Sequence, residues 1–151
     1  AWLRNTTDKR YRQPSESEWE YAARGGVQLG TAEPDIWAGT STEEQLADYG
    51  VYGANRMETV GSKKSNRLGL FDLSGNVWEW VEDCYHDNYE EAPIDGSAWL
   101  EANGGKCSLR VVRGGSWIDA IPMFLRVSNR MGEPVEFRNS NGGFRVVQDL
   151  E

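Results

Sequence analysis

Histidine and cysteine are scarce in this chain. His86 is the only imidazole, and Cys84 and Cys107 are the only thiols. That scarcity excludes much catalytic chemistry. A Ser-His-acid arrangement needs a base beside the nucleophile. The one histidine lies in an acidic stretch, and the sequence GGSW at 114–117 is not a nucleophile elbow. Zinc asks for three or four nitrogen or sulfur ligands. Cys84, His86 and Cys107 reach that number only with Glu82 or Asp87, and their spacing does not recommend the set. Packing for Cys84 and a solvated position for His86 is the simpler reading. No Gly-rich phosphate cradle followed by Lys is present. Two cysteines are too few for a disulfide framework, and the sequence leaves open whether they are free thiols or one bridge.

Long apolar runs and excess positive charge are also missing. No run approaches the roughly 20 apolar residues of a membrane span, so none is expected. Lys and Arg number 16 against 24 Asp and Glu, a net charge of -8. Nucleic acid is therefore not an expected partner, because phosphate contacts need clustered basic residues. An acidic, soluble chain that uses cations fits better. No signal peptide is legible, yet the chain opens Ala1-Trp2-Leu3 without Met, in what reads as the last turn of a helix (residues 1–5). The expectation is a single domain over residues 1–151, the C-terminal part of a larger one, with its compartment unassigned.

What the chain does have is aromatic weight. Seven Trp, 11% aromatics and 38% hydrophobic residues suffice for a packed core. In YRQPSESEWEYAARGG (11–26), Ser15 and Glu18 form a capping box after Pro14, and Trp19, Ala22 and Ala23 recur at helical spacing before Gly25-Gly26. A helix is predicted from Glu16 to Arg24. Residues 27–65 and 82–106 read as loops. A turn and a strand are predicted within 68–81, and short strands at 110–113, 124–128 and 143–147, each bounded by Gly, Asn or Pro. The class is α+β, with few helices, short antiparallel strands and much loop.

Loops on this scale need buried aromatics or bound ions to hold them. FDLSGNVWEW (71–80) offers both. Asp72 and Glu79 supply carboxylates, Gly75 permits a sharp turn, and residues 75, 77 and 79 share one side of an extended chain. Ca²⁺ takes about six to eight such oxygens. The other reading makes Asp72 and Asn76 turn residues and pairs Glu79 with a core-facing Arg. Spacing alone favours the second, since the pattern is not an EF-hand loop.

Five motifs in order shift that balance: PSESEWEYAARGG, NRLGLFDLSGNVWEWVEDCY, RVVRGGSW, FLRVSNR and NGGFRVV. Together they closely resemble the formylglycine-generating enzyme, or sulfatase-modifying factor, family over about Tyr11 to Val147. The resemblance implies a loop-rich C-type-lectin-like fold stabilised by Ca²⁺. It implies ligation by the side chains of Asp72 and Glu79 and the backbone oxygens of Gly75 and Val77. The family often has Asn where this chain has Asp72. A second family Ca²⁺ site, in the loop after DIWAG, is matched loosely by Ile36 and an acid such as Asp48.

The active members of that family carry two cysteines after the GGS-aromatic motif, which bind copper as thiolates and oxidise a substrate cysteine. Here the segment reads RGGSWIDAIPMFLRVSNR, with Asp119 near the first position and Met123 or Phe124 near the second. Soft Cu(I) selects thiolates, not a hard carboxylate. Neither copper nor classical formylglycine formation is expected. Ser116 and Trp78 match residues lining the family's cleft. Ser116 by itself reads better as a turn hydroxyl, whereas core and cleft weigh equally for Trp78. Residues 110–145 hold six Arg against Asp119, Glu133 and Glu136. Internal pairing is the simpler reading for Arg113, Arg126 and Arg145, and Arg130 or Arg138 are the candidates to meet an anionic ligand group. The resemblance points first to a non-catalytic module that binds a peptide, small molecule or partner protein. Another chain or the missing N-terminal part would complete the domain. The alternative is a cysteine-independent oxidoreductase acting on a peptide-like substrate near Trp78, Ser116 and Asp119.

Overall fold

The computed structural model of the chain describes residues 6–7, 9–26 and 33–149, without the side chain of Asn103. The helix turn expected at residues 1–5 lies outside these. Strand β1 (Tyr11–Arg12) leads into helix α1 (Glu16–Ala23), and a second short helix, α2, follows at Leu46–Tyr49. The sheet strands are β2 (Trp78–Tyr85), β3 (Lys106–Arg113), β4 (Arg130–Pro134) and β5 (Gly142–Phe144), and β6 (Val147–Gln148) returns to pair with β1. The four-stranded sheet runs β4-β3-β2-β5, antiparallel except for the parallel β2–β5 pair. Few helices, mixed sheets and long ordered loops bear out the α+β class.

Helix α1 begins where the sequence places it. Ser15 accepts from Glu18 N, and the Glu18 carboxylate accepts from Ser15 N, so two otherwise orphaned donors are satisfied. Its apolar side carries Trp19 and Ala23 onto Val81, Val111 and Val127. Strand β3 starts earlier than expected. The 124–128 strand is not formed, because Pro122 opens a 3₁₀ turn through Leu125. The 143–147 segment splits between β5 and β6.

Strand alternation gives the sheet two unlike faces. Val81 and Val111 point to α1, and so do Glu79 and Arg113, which are paired in register. Arg113 has no exposed surface. It donates to Glu16 (2.5 Å), to Glu20 (2.5 Å) and to the carbonyl of Val127, and lies 5.1 Å from the Trp19 ring centre. Glu16 also accepts from both sides of the Arg130 fork and from Tyr89. Burial alone pushes the Glu16 carboxyl up. The hydrogen bond from Arg130 and the charges of Arg113 and Arg130 outweigh it, holding the group below its ordinary 4.5. Asp83 moves the other way, raised by burial and by Glu16, although it accepts from Glu16 N and Trp99 N.

The two cysteines form one bridge, Cys84–Cys107, joining β2 to β3 at the end of the hairpin opposite residue 113. His86 is buried, not solvated. Its ring stacks on Trp99 at 3.5 Å, and its nitrogens face the carbonyls of Cys84 and Ala102. Bridge and stack together anchor the loop between β2 and β3.

A depressed carboxyl contributes stability that is present above its ordinary value and is lost as pH falls through the folded one. Glu16→Gln leaves two buried guanidiniums short of charge, so it should cost about 3–5 kcal/mol at neutral pH. In urea unfolding across a pH series, the gap from wild type should narrow below 4.5; a pH-independent gap would show that Glu16 is not the charged partner. Replacing both cysteines by Ser, which opens a cross-link spanning 23 residues, should lower stability by about 3 kcal/mol.

Candidate functional site

Strand alternation sorts Trp78, Glu79 and Trp80 onto the two faces of the sheet. Glu79 turns inward, where Arg145 donates to both of its oxygens (2.6 Å each) and Trp19 Nε1 donates to Oε2 (2.7 Å). Trp78 and Trp80 turn to the other face, over Val112, Met131 and Glu133. There they floor a cleft of about 340 Å³ walled by Asp119, Phe137 and Asn141. A contiguous cavity of about 540 Å³ shares Trp80, Phe137, Asn139 and Gly142 with it and extends to Arg110 and Arg138.

Ser116 and Asp119 form one closed turn beside the cleft. Ser116 N and Oγ both donate to Asp119 Oδ2, at 2.8 and 2.7 Å, and Asn141 Nδ2 donates to Ser116 Oγ at 3.3 Å. Backbone bonds from Trp117 N to Asn76 O and from Trp78 N to Asn141 O lock this turn to the GNVW segment and to the approach to β5. The glycines before it are required: Gly114 and Gly115 have φ of 95° and 74°, and a Cβ on Gly115 would sit 2.9 Å from the carbonyl of Phe124. Ser116 is fully buried and works in the turn, as its sequence reading has it, while Asp119 and Trp78 line the cleft.

The arginines divide. Arg113 and Arg145 pair internally; Arg126 has no acidic partner among the described residues and lies 6.0 Å from the Trp37 ring centre. Arg130 does not reach the cleft, because Glu16 and the carbonyl of His86 hold it on the α1 side. Arg138 does line the cavity. Arg110, absent from the sequence-based candidates, joins it; its place opposite Glu133 on β4 was invisible without the register.

Asp72 and Glu79 flank the cation Arg145, whose guanidinium is held in its charged form by Glu79 and, more distantly, by Asp72. Asp72 has φ 59°, and its Oδ2 accepts from Gly61 N at 2.7 Å. Its Oδ1 is buried with no hydrogen-bond partner among the described residues. A buried orphan carboxylate oxygen beside a sharp Gly75 turn (φ 91°) is what a hard cation would satisfy. Glu79 is engaged by Arg145 at both oxygens and by Trp19 at Oε2, as the pairing reading has it. Among the described residues no group of three or more His, Cys, Asp or Glu is gathered that could hold a metal ion. A cation there would meet Asp72 and share Glu79 with Arg145. At the second expected site, the Ile36 carbonyl accepts from Val127 N and the Asp48 carboxylate pairs with Lys64, so both groups are already engaged.

A family model described as the sulfatase-modifying factor enzyme 1-like domain matches residues 1–150. An inactive C-alpha-formylglycine-generating enzyme 2 from Mus musculus is 32% identical over 150 residues, covering 90% of this chain and 42% of that protein. A formylglycine-generating enzyme from Streptomyces coelicolor is 33% identical over 156 residues, covering 93% and 47%. The solved structure of PvdO from Pseudomonas aeruginosa superposes with a TM-score of 0.82 at 41% identity, over 99% of this chain and 56% of that one. The chain thus spans under half the length of these two curated relatives. The resemblance read from the five motifs is borne out, and so is the fold.

Glu79 is the member of this site whose loss should be felt most in the fold. Glu79→Ala would strand a buried guanidinium and an indole N–H, at about 3–5 kcal/mol. Glu79→Gln should recover part of that, read by chemical denaturation; equal losses for the two variants would mean that the charge on Glu79 is not what Arg145 needs.

Proposed function

The chain belongs to the sulfatase-modifying factor enzyme 1-like domain family, and on that premise we propose that it is a non-catalytic ligand-binding module of this family, stabilised by Ca²⁺. One observation carries the reading. Where the resemblance places the first active-site cysteine, Asp119 closes on Ser116. Both thiols of the chain are consumed in a disulfide at the far end of the β2–β3 hairpin, so they are not a catalytic pair. Beside that turn lies a cleft with an aromatic floor from Trp78 and Trp80 and polar walls from Asp119 and Asn141. Such a surface binds by stacking and a few oriented hydrogen bonds. A peptide or small molecule with a flat apolar group fits that chemistry.

Ca²⁺ would be held by Asp72 and Glu79 and by the carbonyls of Gly75 and Val77, where it would fix the turn before β2. Arg145 already compensates one charge of the pair. Affinity falls as ligand charge is removed or compensated, so this reading puts binding near the millimolar end of known sites.

Two measurements test the proposal. Equilibrium dialysis against millimolar CaCl₂ should load about one Ca per chain, and elemental analysis should find no stoichiometric copper or iron. Melting in millimolar CaCl₂ should exceed melting in EGTA for the wild type and not for Asp72→Ala. Absence of both effects would remove Ca²⁺ from the reading. Asp119→Ala should change affinity in the cleft and abolish no turnover. Copper-dependent oxidation of a cysteine peptide that disappears in Asp119→Ala would replace the binding module by an oxidoreductase.

A further inference from the structure

Carboxylates outnumber basic groups three to two in this chain, 24 against 16. The 540 Å³ cavity beyond Trp80 reverses that balance. Its wall contains Arg110 and Arg138 and no acidic residue. The more buried arginines are matched to carboxylates, Arg113 and Arg130 to Glu16 and Arg145 to Glu79, whereas Arg110 is half-buried opposite Glu133 on β4 and Arg138 is exposed. Arg110 and Arg138 have no carboxylate partner among the described residues. Each is held through Nη1 alone, by backbone carbonyls: Glu82 O for Arg110, and Val135 O and Phe137 O for Arg138. Nη1 is thereby fixed, and Nε and Nη2 of each fork have no hydrogen-bond partner among the described residues. Around them stand Trp80, Phe137, Phe144 and Val135. Phe144 is 67% exposed and Phe137 44%, a large apolar surface for side chains that no other element covers.

We propose that this cavity is a carboxylate subsite, which takes an organic acid whose apolar, ring-bearing body lies on Trp80, Phe137 and Phe144 while its carboxylate meets Arg110 and Arg138. Guanidinium forks match carboxylates in geometry and give charge-assisted bonds stronger than neutral ones. A backbone-tethered guanidinium loses less freedom on binding than a free one. The aromatic walls select against a bare inorganic anion. This rests on the binding-module reading only in that the two cavities share a wall; the arginines belong to one of them alone.

The test uses 2-naphthoate, its uncharged relative 2-naphthamide, and inorganic phosphate, each titrated into the ¹⁵N-labelled chain. The expected result is that 2-naphthoate shifts the Nε–H signals of Arg110 and Arg138 and the Trp80 indole, and binds at least about tenfold tighter than the amide. Arg138→Gln, on an exposed turn, and Arg110→Gln should each weaken the acid and leave the amide unchanged. Arg110→Lys, which keeps the charge but not the fork, should fall between. Equal affinity for acid and amide overturns the proposal, as does the absence of any shift up to about 10 mM of either. Phosphate binding as tightly as the acid overturns the part assigned to the aromatic walls. If acid and amide alike shift Trp78 and Asp119 but not the arginines, the carboxylate subsite falls and the cleft stands.

Discussion

Arg113 is a full guanidinium without solvent contact, and much of the structure is arranged around pairing it. Glu16 and Glu20 meet it from α1, Val127 from the chain after the 3₁₀ turn, and the Trp19 ring from above. Removing one partner of such a cluster costs more than the cluster itself contributes, because what remains is an uncompensated buried charge. The cluster therefore fixes α1 against the sheet at one angle. With α1 fixed, Trp19 presents its indole N–H to Glu79, and Glu79 in turn holds Arg145. Charge runs through the packed side of this sheet, where a plain hydrophobic layer is the usual solution.

That choice explains the open face. Once Glu79 and Arg113 point inward, the alternation of a strand forces Trp78, Trp80 and Val112 outward. Trp78, itself buried, and the half-buried Trp80 floor a cleft, and the loop from 135 to 141 crosses in front of them. The Ser116–Asp119 turn closes one end by satisfying its own hydrogen bonds. The cleft is thus a by-product of how the core is charged. The same scaffold can lose its thiols and remain a shaped, aromatic surface, which is why fold alone does not decide activity.

The capping box at Ser15–Glu18 and the Gly pair after it were legible because they act within a few residues. So was the order of motifs that led to the family. The strand expected at 124–128 was not formed: its apolar residues alternate well enough, but Pro122 pre-sets the first turn of a 3₁₀ segment, and Leu125 is buried from that turn. Strand β4 was missed because Arg-Met-Gly-Glu-Pro has little β propensity; the register with β3 makes it a strand. Arg130 and Arg138 looked alike as candidates, and the fold separated them, one onto Glu16 and the other into a cavity.

By itself the sequence determined the local signals and the chemistry that is missing. Helix caps, glycines with obligatory positive φ, the absence of a base beside a nucleophile and the absence of thiols after GGSW all follow from residues near one another in the chain. Only the tertiary structure decided which charge meets which. Glu79 lies 66 residues from Arg145, and Glu16 lies 97 from Arg113 and 114 from Arg130. It also joined Cys84 to Cys107 and buried His86 against Trp99. Pairings of that range are set by strand register and by the cost of leaving a buried charge alone, and neither is written in any short stretch of sequence.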